Sequence, residues 1–214
     1  TGDSSHLVIV TDLWEGVPLD DLLATAGPRG VERGAAIGLM ATLLDALHDI
    51  HLLPRDAERS GLPAAHGEVR AGNIAVDEDG RVRLLGFGLP LPRAAFTLDD
   101  DMTSMTSDEL WFPTPAADQF AAGLLLLRLA GAVDPLLDAP RGHGPPPATI
   151  RAALASLDVS DPLLPIALTL LASRPEHRYP DAGRAAEQLR RLLVDTELLP
   201  LVRLVARRGP DQVP

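Results

Sequence analysis

Two sets of polar side chains in this sequence could bind a cation, judged by residue type and spacing. His48 and His51 lie three residues apart in a helical pattern, which places both rings near one helix face. No third ligand follows at a spacing typical of zinc sites, so we interpret them as surface histidines or histidines with hydrogen-bond partners. The acidic run at residues 99–101 is by default solvated charge. The chain has no cysteine, which excludes thiolate chemistry, and no metal site is predicted.

A polar segment, HGEVRAGN at residues 66–73, is followed 13 positions after Asn73 by GFG at residues 86–88. This pair of motifs resembles the catalytic loop HRDxKxxN and the DFG motif of bacterial Hanks-type Ser/Thr protein kinases. The resemblance implies that position 68 would hold the catalytic base. It also implies that positions 73 and 86 would hold magnesium.

Further motifs extend the resemblance over residues 6–196. Residues 13–16, LWEG, are similar to the hinge between the two kinase lobes, with Thr11 at the gatekeeper position. Residues 107–109, SDE, resemble the end of the activation segment, and residues 118–123 resemble the DxxxxG start of the central buried helix. Residues 174–180, RPEHRYP, are similar to a turn near the end of the kinase domain.

The loop departs from the kinase pattern at the positions that perform catalysis. Glu68 replaces the catalytic Asp, and misplacing such a group by about one ångström can lower the rate on the order of a hundredfold. Arg70 replaces a Lys, and Gly67 replaces the Arg that meets a phosphorylated activation loop. Gly86 is the decisive change, because glycine cannot coordinate magnesium and Asn73 alone offers one neutral oxygen. No residue of this degenerate set is therefore predicted to be catalytic.

Four residues that the resemblance marks as structural are retained: His66, Glu109, Asp118 and Arg178. Glu109 and Arg178 are expected to form a buried ion pair, because leaving one member alone would cost about 3–5 kcal/mol. Asp118 is expected to accept backbone N–H groups from the region of His66 and Gly67. For each of these charges the alternative is a solvated position on the surface.

The elements that position these residues are predicted to be mainly helical. Apolar spacing predicts a long helix over 32–51 and a buried helix over 116–131. Shorter helices are predicted over 19–24, 149–157, 163–172 and 181–196. Two short segments with the residue pattern of strands, 74–76 and 82–84, flank the turn residues Asp79 and Gly80. This arrangement predicts a β-hairpin. The expected fold is a kinase-like C-lobe helical bundle with this short hairpin and an N-terminal edge strand over 6–11.

The predicted domain organisation follows the resemblance. Residues 1–18 would form the last strand of an N-lobe and the hinge, residues 19–196 the C-lobe, and residues 197–214 a tail. The chain starts without Met, so we expect a fragment. The glycine-rich loop and the lysine of a nucleotide cleft would then lie upstream or be missing.

The composition and net charge of the chain argue against several classes of function. Hydrophobic residues make up 46% and aromatic residues 3%, which favours helices packed through aliphatic side chains. The net charge of −11 argues against nucleic-acid binding, which needs a basic face. No signal peptide opens the chain, and the longest apolar run, over 120–133, is too short to span a membrane. We expect a cytoplasmic protein.

These observations predict a pseudokinase that acts as a protein-binding, scaffolding or allosteric module, with no cofactor. ATP binding is possible, but it is not expected with magnesium. A protein partner or a second copy is expected to cover the exposed strand over 6–11. One alternative is a weakly active kinase that uses Glu68 as base with an upstream N-lobe. The HG opening of the loop also occurs in small-molecule phosphotransferases of related fold, and a scaffold without any ligand is the third possibility.

Overall fold

A computed structural model describes residues 15–27, 31–53, 64–86, 114–131 and 146–193 of the chain. These ranges contain the helices α1 Leu19–Ala26, α2 Arg33–Leu52, α3 Pro115–Leu129, α4 Pro147–Ser156, α5 Leu164–Leu170 and α6 Ala182–Arg191. They also contain single 3₁₀ turns at Ala71–Asn73 and Pro175–His177, and the strands β1 Val17–Pro18, β2 Ile74–Val76 and β3 Val82–Leu84. The mainly helical class predicted from the sequence is confirmed.

Helix α2 forms the centre of the core, where it packs chiefly against α6 and α3. Its apolar residues recur at helical spacing, and Leu39, Leu43 and Leu47 are all buried. Asp45 on α2 also forms an ion pair with Arg190 on α6. By length and hydropathy alone, α2 could cross a membrane, but 56% of that apolar window is buried inside the protein. Its composition is therefore explained by its place in the core.

Helix α3 begins after a capping threonine and then runs through the protein interior. The Thr114 side chain accepts a hydrogen bond from the Ala117 N–H at 3.1 Å, which caps the helix start. Midway along the helix, a Cβ atom built on Gly123 would lie 2.8 Å from Leu171 Cγ and 2.9 Å from Leu170 Cβ. The absence of a side chain at Gly123 thus lets α3 approach the end of α5 closely.

The hairpin predicted from the turn residues is confirmed. Strands β2 and β3 pair antiparallel, with Ile74 opposite Leu84 and Val76 opposite Val82. Gly80 has a φ of +76°, which explains why glycine is favoured in this turn. The carboxylate of Asp77 accepts the Arg81 N–H at 2.8 Å and closes the loop.

Strand β1 was not predicted at residues 17 and 18. Val17 and Pro18 pair antiparallel with β2, whereas the resemblance placed the hinge at residues 13–16 and the edge strand over 6–11. Proline lacks an N–H donor, and it is tolerated here because β1 is an edge strand of the sheet that the described residues form. The edge strand predicted over 6–11 lies outside the described residues, as do residues 1–14 of the predicted N-terminal segment and the whole predicted tail over 197–214.

The C-terminal helices agree with their predicted positions to within a few residues, and two polar contacts fix their ends. Asp181 caps α6 by accepting the Arg184 N–H at 2.8 Å. At the start of α2, Arg33 binds Asp161 through two parallel hydrogen bonds of 2.8 and 2.7 Å. Such bidentate pairs are stronger than single ionic contacts, so this one links α2 firmly to the turn before α5.

Candidate functional site

The loop that carries the predicted site connects the end of α2 to β2 and is organised around a buried histidine. His66 is 4% exposed, and its Nδ1 atom accepts the Glu68 N–H at 3.2 Å. A backbone N–H can only donate, so the proton of the neutral ring resides on Nε2, which donates to the Leu85 carbonyl at 2.9 Å. Burial lowers the pKa of His66 although the Asp118 carboxylate acts against this shift. The neutral ring therefore ties the loop to the residue that follows β3.

Asp118 anchors the same loop from the first turn of α3. Its Oδ2 atom accepts the His66 N–H at 2.7 Å, and its Oδ1 atom accepts the Gly67 N–H at 2.8 Å. Both contacts were expected from the resemblance, and both are present. Asp118 is 1% exposed, so its carboxylate is stabilised by these hydrogen-bond donors and not by water.

His51 supplies a further contact to this carboxylate that the sequence analysis did not predict. Its Nε2 atom lies 2.9 Å from Asp118 Oδ2, and both side chains are almost fully buried. The sequence pattern that could have indicated this contact is the apolar face of α2. His51 lies one turn after the buried Leu47 and therefore faces the core on the same side of the helix. His48, by contrast, faces α6, with its Nδ1 atom 3.6 Å from Asp181 Oδ1. The two rings therefore have different partners and do not form a shared ligand pair.

Glu68 and Arg70 form a loose ion pair at the outer face of the loop. Arg70 Nε lies 3.6 Å from Glu68 Oε2, and the two side chains are 61% and 20% exposed. Asn73 stabilises the backbone of this segment, because its Nδ2 donates to the Glu68 backbone carbonyl at 2.8 Å. The Asn73 backbone carbonyl in turn accepts the Leu85 N–H at 2.7 Å. The order of residues 66–73 thus depends on contacts that involve no ligand.

Gly86 lies directly beside Asn73. A Cβ atom built on Gly86 would lie 3.5 Å from Asn73 Nδ2 and 3.9 Å from Asn73 Oδ1. Any side chain at position 86 would therefore start next to the amide, in the place where a second ligand for a shared cation would be needed. The φ of Gly86 is +82°, a conformation that most side chains disfavour and that Asp and Asn tolerate best.

Arg178 lies at the far side of α3 and is 5% exposed. Its Nε donates to the Ala172 carbonyl at 2.9 Å and its Nη1 to the Ala116 carbonyl at 2.7 Å. The guanidinium also lies 5.0 Å from the centre of the Phe120 ring. Glu109, its expected partner, lies outside the described residues, and the ion pair stays a prediction. The acidic run at 99–101, Thr11, and residues 13, 14, 87 and 88 are also outside them.

Comparison with known proteins gives the fold. No protein-family profile matches the sequence, and no curated protein matches it significantly. Among solved structures, the chain is similar to the Mycobacterium tuberculosis PknI kinase domain, with a TM-score of 0.58 and 21% sequence identity over 84% of this chain. A second crystal structure of that domain gives a TM-score of 0.55 at the same identity. The chain has a protein-kinase-like fold and spans 64% of the PknI kinase domain that it matches.

A kinase fold implies a bound magnesium ion, and the described residues do not fit one. Mg²⁺ is usually held by one or two carboxylates, and position 86 provides none beside Asn73. The described ranges contain no group of three His, Cys, Asp or Glu residues that could hold a metal ion. Asn73 and Gly86 together therefore do not form a magnesium site.

Proposed function

We propose that this chain is a pseudokinase, a kinase-like domain that regulates or scaffolds other proteins and does not transfer phosphate. The observation that carries the proposal is Gly86, whose Cβ position faces Asn73 and bears no carboxylate. Phosphoryl transfer depends on metal ions that bridge and neutralise the phosphates, so their loss removes several kcal/mol of transition-state stabilisation. The Glu68 substitution weakens catalysis further by moving the base.

The retained contacts support a role in binding. His66, Asp118 and Asn73 fix the loop through buried or partly buried hydrogen bonds that serve the fold and need no substrate. A domain that keeps this order can present a defined surface to a protein partner or a second copy. The same surface could transmit a signal to a kinase lobe supplied from upstream. That partner, and a cytoplasmic location in a bacterium, stay predictions of the sequence analysis.

A weakly active kinase is the second candidate. The observation that favours it is the hydrogen-bonded backbone of the loop at residues 66–73. The Glu68 side chain is 20% exposed and lies on an ordered backbone, so a carboxylate is available near the expected place of the base. Its side chain is one methylene longer than that of Asp. A general base acts only within hydrogen-bond reach of the proton that it removes, about 2.6–3.2 Å between heavy atoms.

Transfer of the γ-phosphate from radiolabelled ATP distinguishes the two candidates. We expect the wild-type chain, in the longest form that includes any upstream lobe, to label itself or a generic protein substrate no faster than the Glu68→Ala variant. The reason is that neither protein has the second magnesium ligand. Labelling by the wild type that falls at least about a hundredfold in Glu68→Ala would establish the weakly active kinase instead. An unchanged circular dichroism spectrum is the control for folding of the variant.

A further inference from the structure

Two histidine rings lie close to Asp118, and they differ in how a second proton would affect their contacts. The Nε2 atom of His51 lies 2.9 Å from the Asp118 carboxylate, which can only accept, so this nitrogen carries a proton. Protonation of the other ring nitrogen would keep this hydrogen bond and add an attraction between charges. His51 can therefore gain a proton without losing its contact with Asp118.

His66 has the opposite arrangement. Its Nδ1 atom accepts the Glu68 N–H at 3.2 Å, while its Nε2 atom donates to the Leu85 carbonyl at 2.9 Å. Both nitrogens of a protonated imidazole are donors, so a proton on Nδ1 would face the Glu68 N–H and remove that hydrogen bond. His66 is only 4% exposed, and a buried donor that loses its acceptor is costly. Protonation of His66 is therefore incompatible with the observed position of the Glu68 backbone.

The residues just before Glu68 are held by contacts that do not involve the imidazole ring. The His66 and Gly67 N–H groups donate to the two oxygens of Asp118 at 2.7 and 2.8 Å. Gly67 has a φ of +79°, and glycine changes its backbone conformation more readily than other residues. Loss of the hydrogen bond from Glu68 would therefore leave residues 66 and 67 anchored and allow the backbone to turn at Gly67.

We propose that His66 is an acid-sensitive switch, whose neutral ring fixes Glu68 and Arg70 in the observed arrangement and whose protonation releases them while Asp118 keeps the start of the loop in place. The titratable groups that face the ring are Asp118 on α3, His51 on α2 and Glu68 on the loop itself. The two carboxylates favour the protonated ring and His51 opposes it. Burial has the largest effect, and it lowers the pKa of His66 from its ordinary value of 6.5.

The direction of this shift determines the direction of the pH dependence. A histidine whose pKa is lower in the folded than in the unfolded chain stabilises the fold fully above about pH 6.5, and the contribution is lost as the pH falls through the folded pKa. Glu68 and Arg70 reach the surface, with 20% and 61% of their side chains exposed, so acidification changes the charged surface that a protein partner would contact. The switch operates equally in a pseudokinase and in a weakly active kinase, so it does not depend on the proposed function.

Nuclear magnetic resonance of the isotope-labelled full chain, titrated from about pH 7.5 to 4.5 across the ordinary range of histidine, tests the switch. At the upper end, His66 should carry its proton on Nε2. As His66 gains its second proton, the protection factor of the Glu68 amide against hydrogen exchange should fall about two- to tenfold, which corresponds to one lost hydrogen bond. The Gly67 amide, which donates to Asp118, should keep its protection within about twofold.

Three variants show which histidine is responsible. His66→Asn keeps an oxygen that can accept the Glu68 N–H but cannot titrate, so the pH response of the Glu68 amide should disappear. His51→Gln keeps a donor to Asp118 without a titrating ring, and the response should remain. His177→Asn changes an exposed histidine on the turn before α6 and is the matched control, which should respond as the wild type does.

Several results would overturn the proposal. One is a Glu68 amide whose protection stays constant while His66 titrates, and another is a His66 ring that stays neutral until the chain unfolds. Equal loss of protection at Gly67 and Glu68 would mean that the whole loop unfolds, and loss of the response in His51→Gln would make His51 the responsible group. Should His66→Asn not fold, the comparison of Glu68 with Gly67 in the wild type still decides the question.

Discussion

Replacing Asp118 by alanine is expected to lower the free energy of unfolding by about 3–5 kcal/mol. The carboxylate accepts the backbone N–H groups of His66 and Gly67 and contacts the ring of His51, and all of these lie in or near the core. Its removal would leave buried donors without an acceptor. Each such donor costs about 1–3 kcal/mol, and partial relaxation of the loop keeps the total below the full sum.

Urea unfolding followed by circular dichroism measures this loss. Asp118→Asn keeps one side-chain oxygen as an acceptor and should lose less, about 1–3 kcal/mol. Asp49→Asn, an exposed carboxylate on the same helix as His51, is the matched control and should stay within about 0.5 kcal/mol of wild type. A loss of less than about 1 kcal/mol for Asp118→Ala would mean that this carboxylate does not hold the loop.

Arg178→Ala is expected to have an effect of similar size, about 3–5 kcal/mol. The buried guanidinium donates to the carbonyls of Ala172 and Ala116 and lies over the Phe120 ring, so alanine would remove both hydrogen bonds and leave a cavity. Because Ala172 lies just after α5 and Ala116 lies at the start of α3, the change should loosen the packing of these two helices.

The same unfolding measurement with Arg174→Ala serves as the control, because Arg174 is exposed and only four residues away. It should change stability by no more than about 0.5 kcal/mol. A double-mutant cycle of Arg178→Met with Glu109→Gln tests the predicted ion pair, for which we expect a coupling of about 1–3 kcal/mol. Additive effects would show that Glu109 is not the partner of Arg178.

The parts of the fold that depend on local sequence could be predicted. The Asp79–Gly80 turn determines its own hairpin, because hydrogen bonds between residues three and four positions apart close it. The apolar spacing of α2 likewise predicts both the helix and the face that it buries. Strand β1 could not be predicted in this way. It exists because Val17 meets β2, some 60 residues further along the chain, and local propensity at Pro18 argues against a strand.

In the candidate site, too, contacts between residues far apart in sequence could not be predicted from local sequence. Nothing near His51 in sequence indicates its partner, because Asp118 lies 67 residues away. The contacts of Asp118 with the loop were expected only because the spacing of several motifs resembles a kinase. By contrast, the loss of the carboxylate at position 86 is visible in the sequence itself. The structure adds that this position faces Asn73, which makes the loss relevant to a cation.

Binding of Mn²⁺, followed by electron paramagnetic resonance in the presence of ADP, tests most directly whether the loop can hold a divalent cation. Wild type and Asn73→Ala are predicted to give the same weak, unsaturated binding, due only to the acidic surface of a chain with net charge −11. Gly86→Asp should gain a saturable site. A saturable one-to-one site in the wild type that disappears in Asn73→Ala would contradict the account and restore the case for a working kinase.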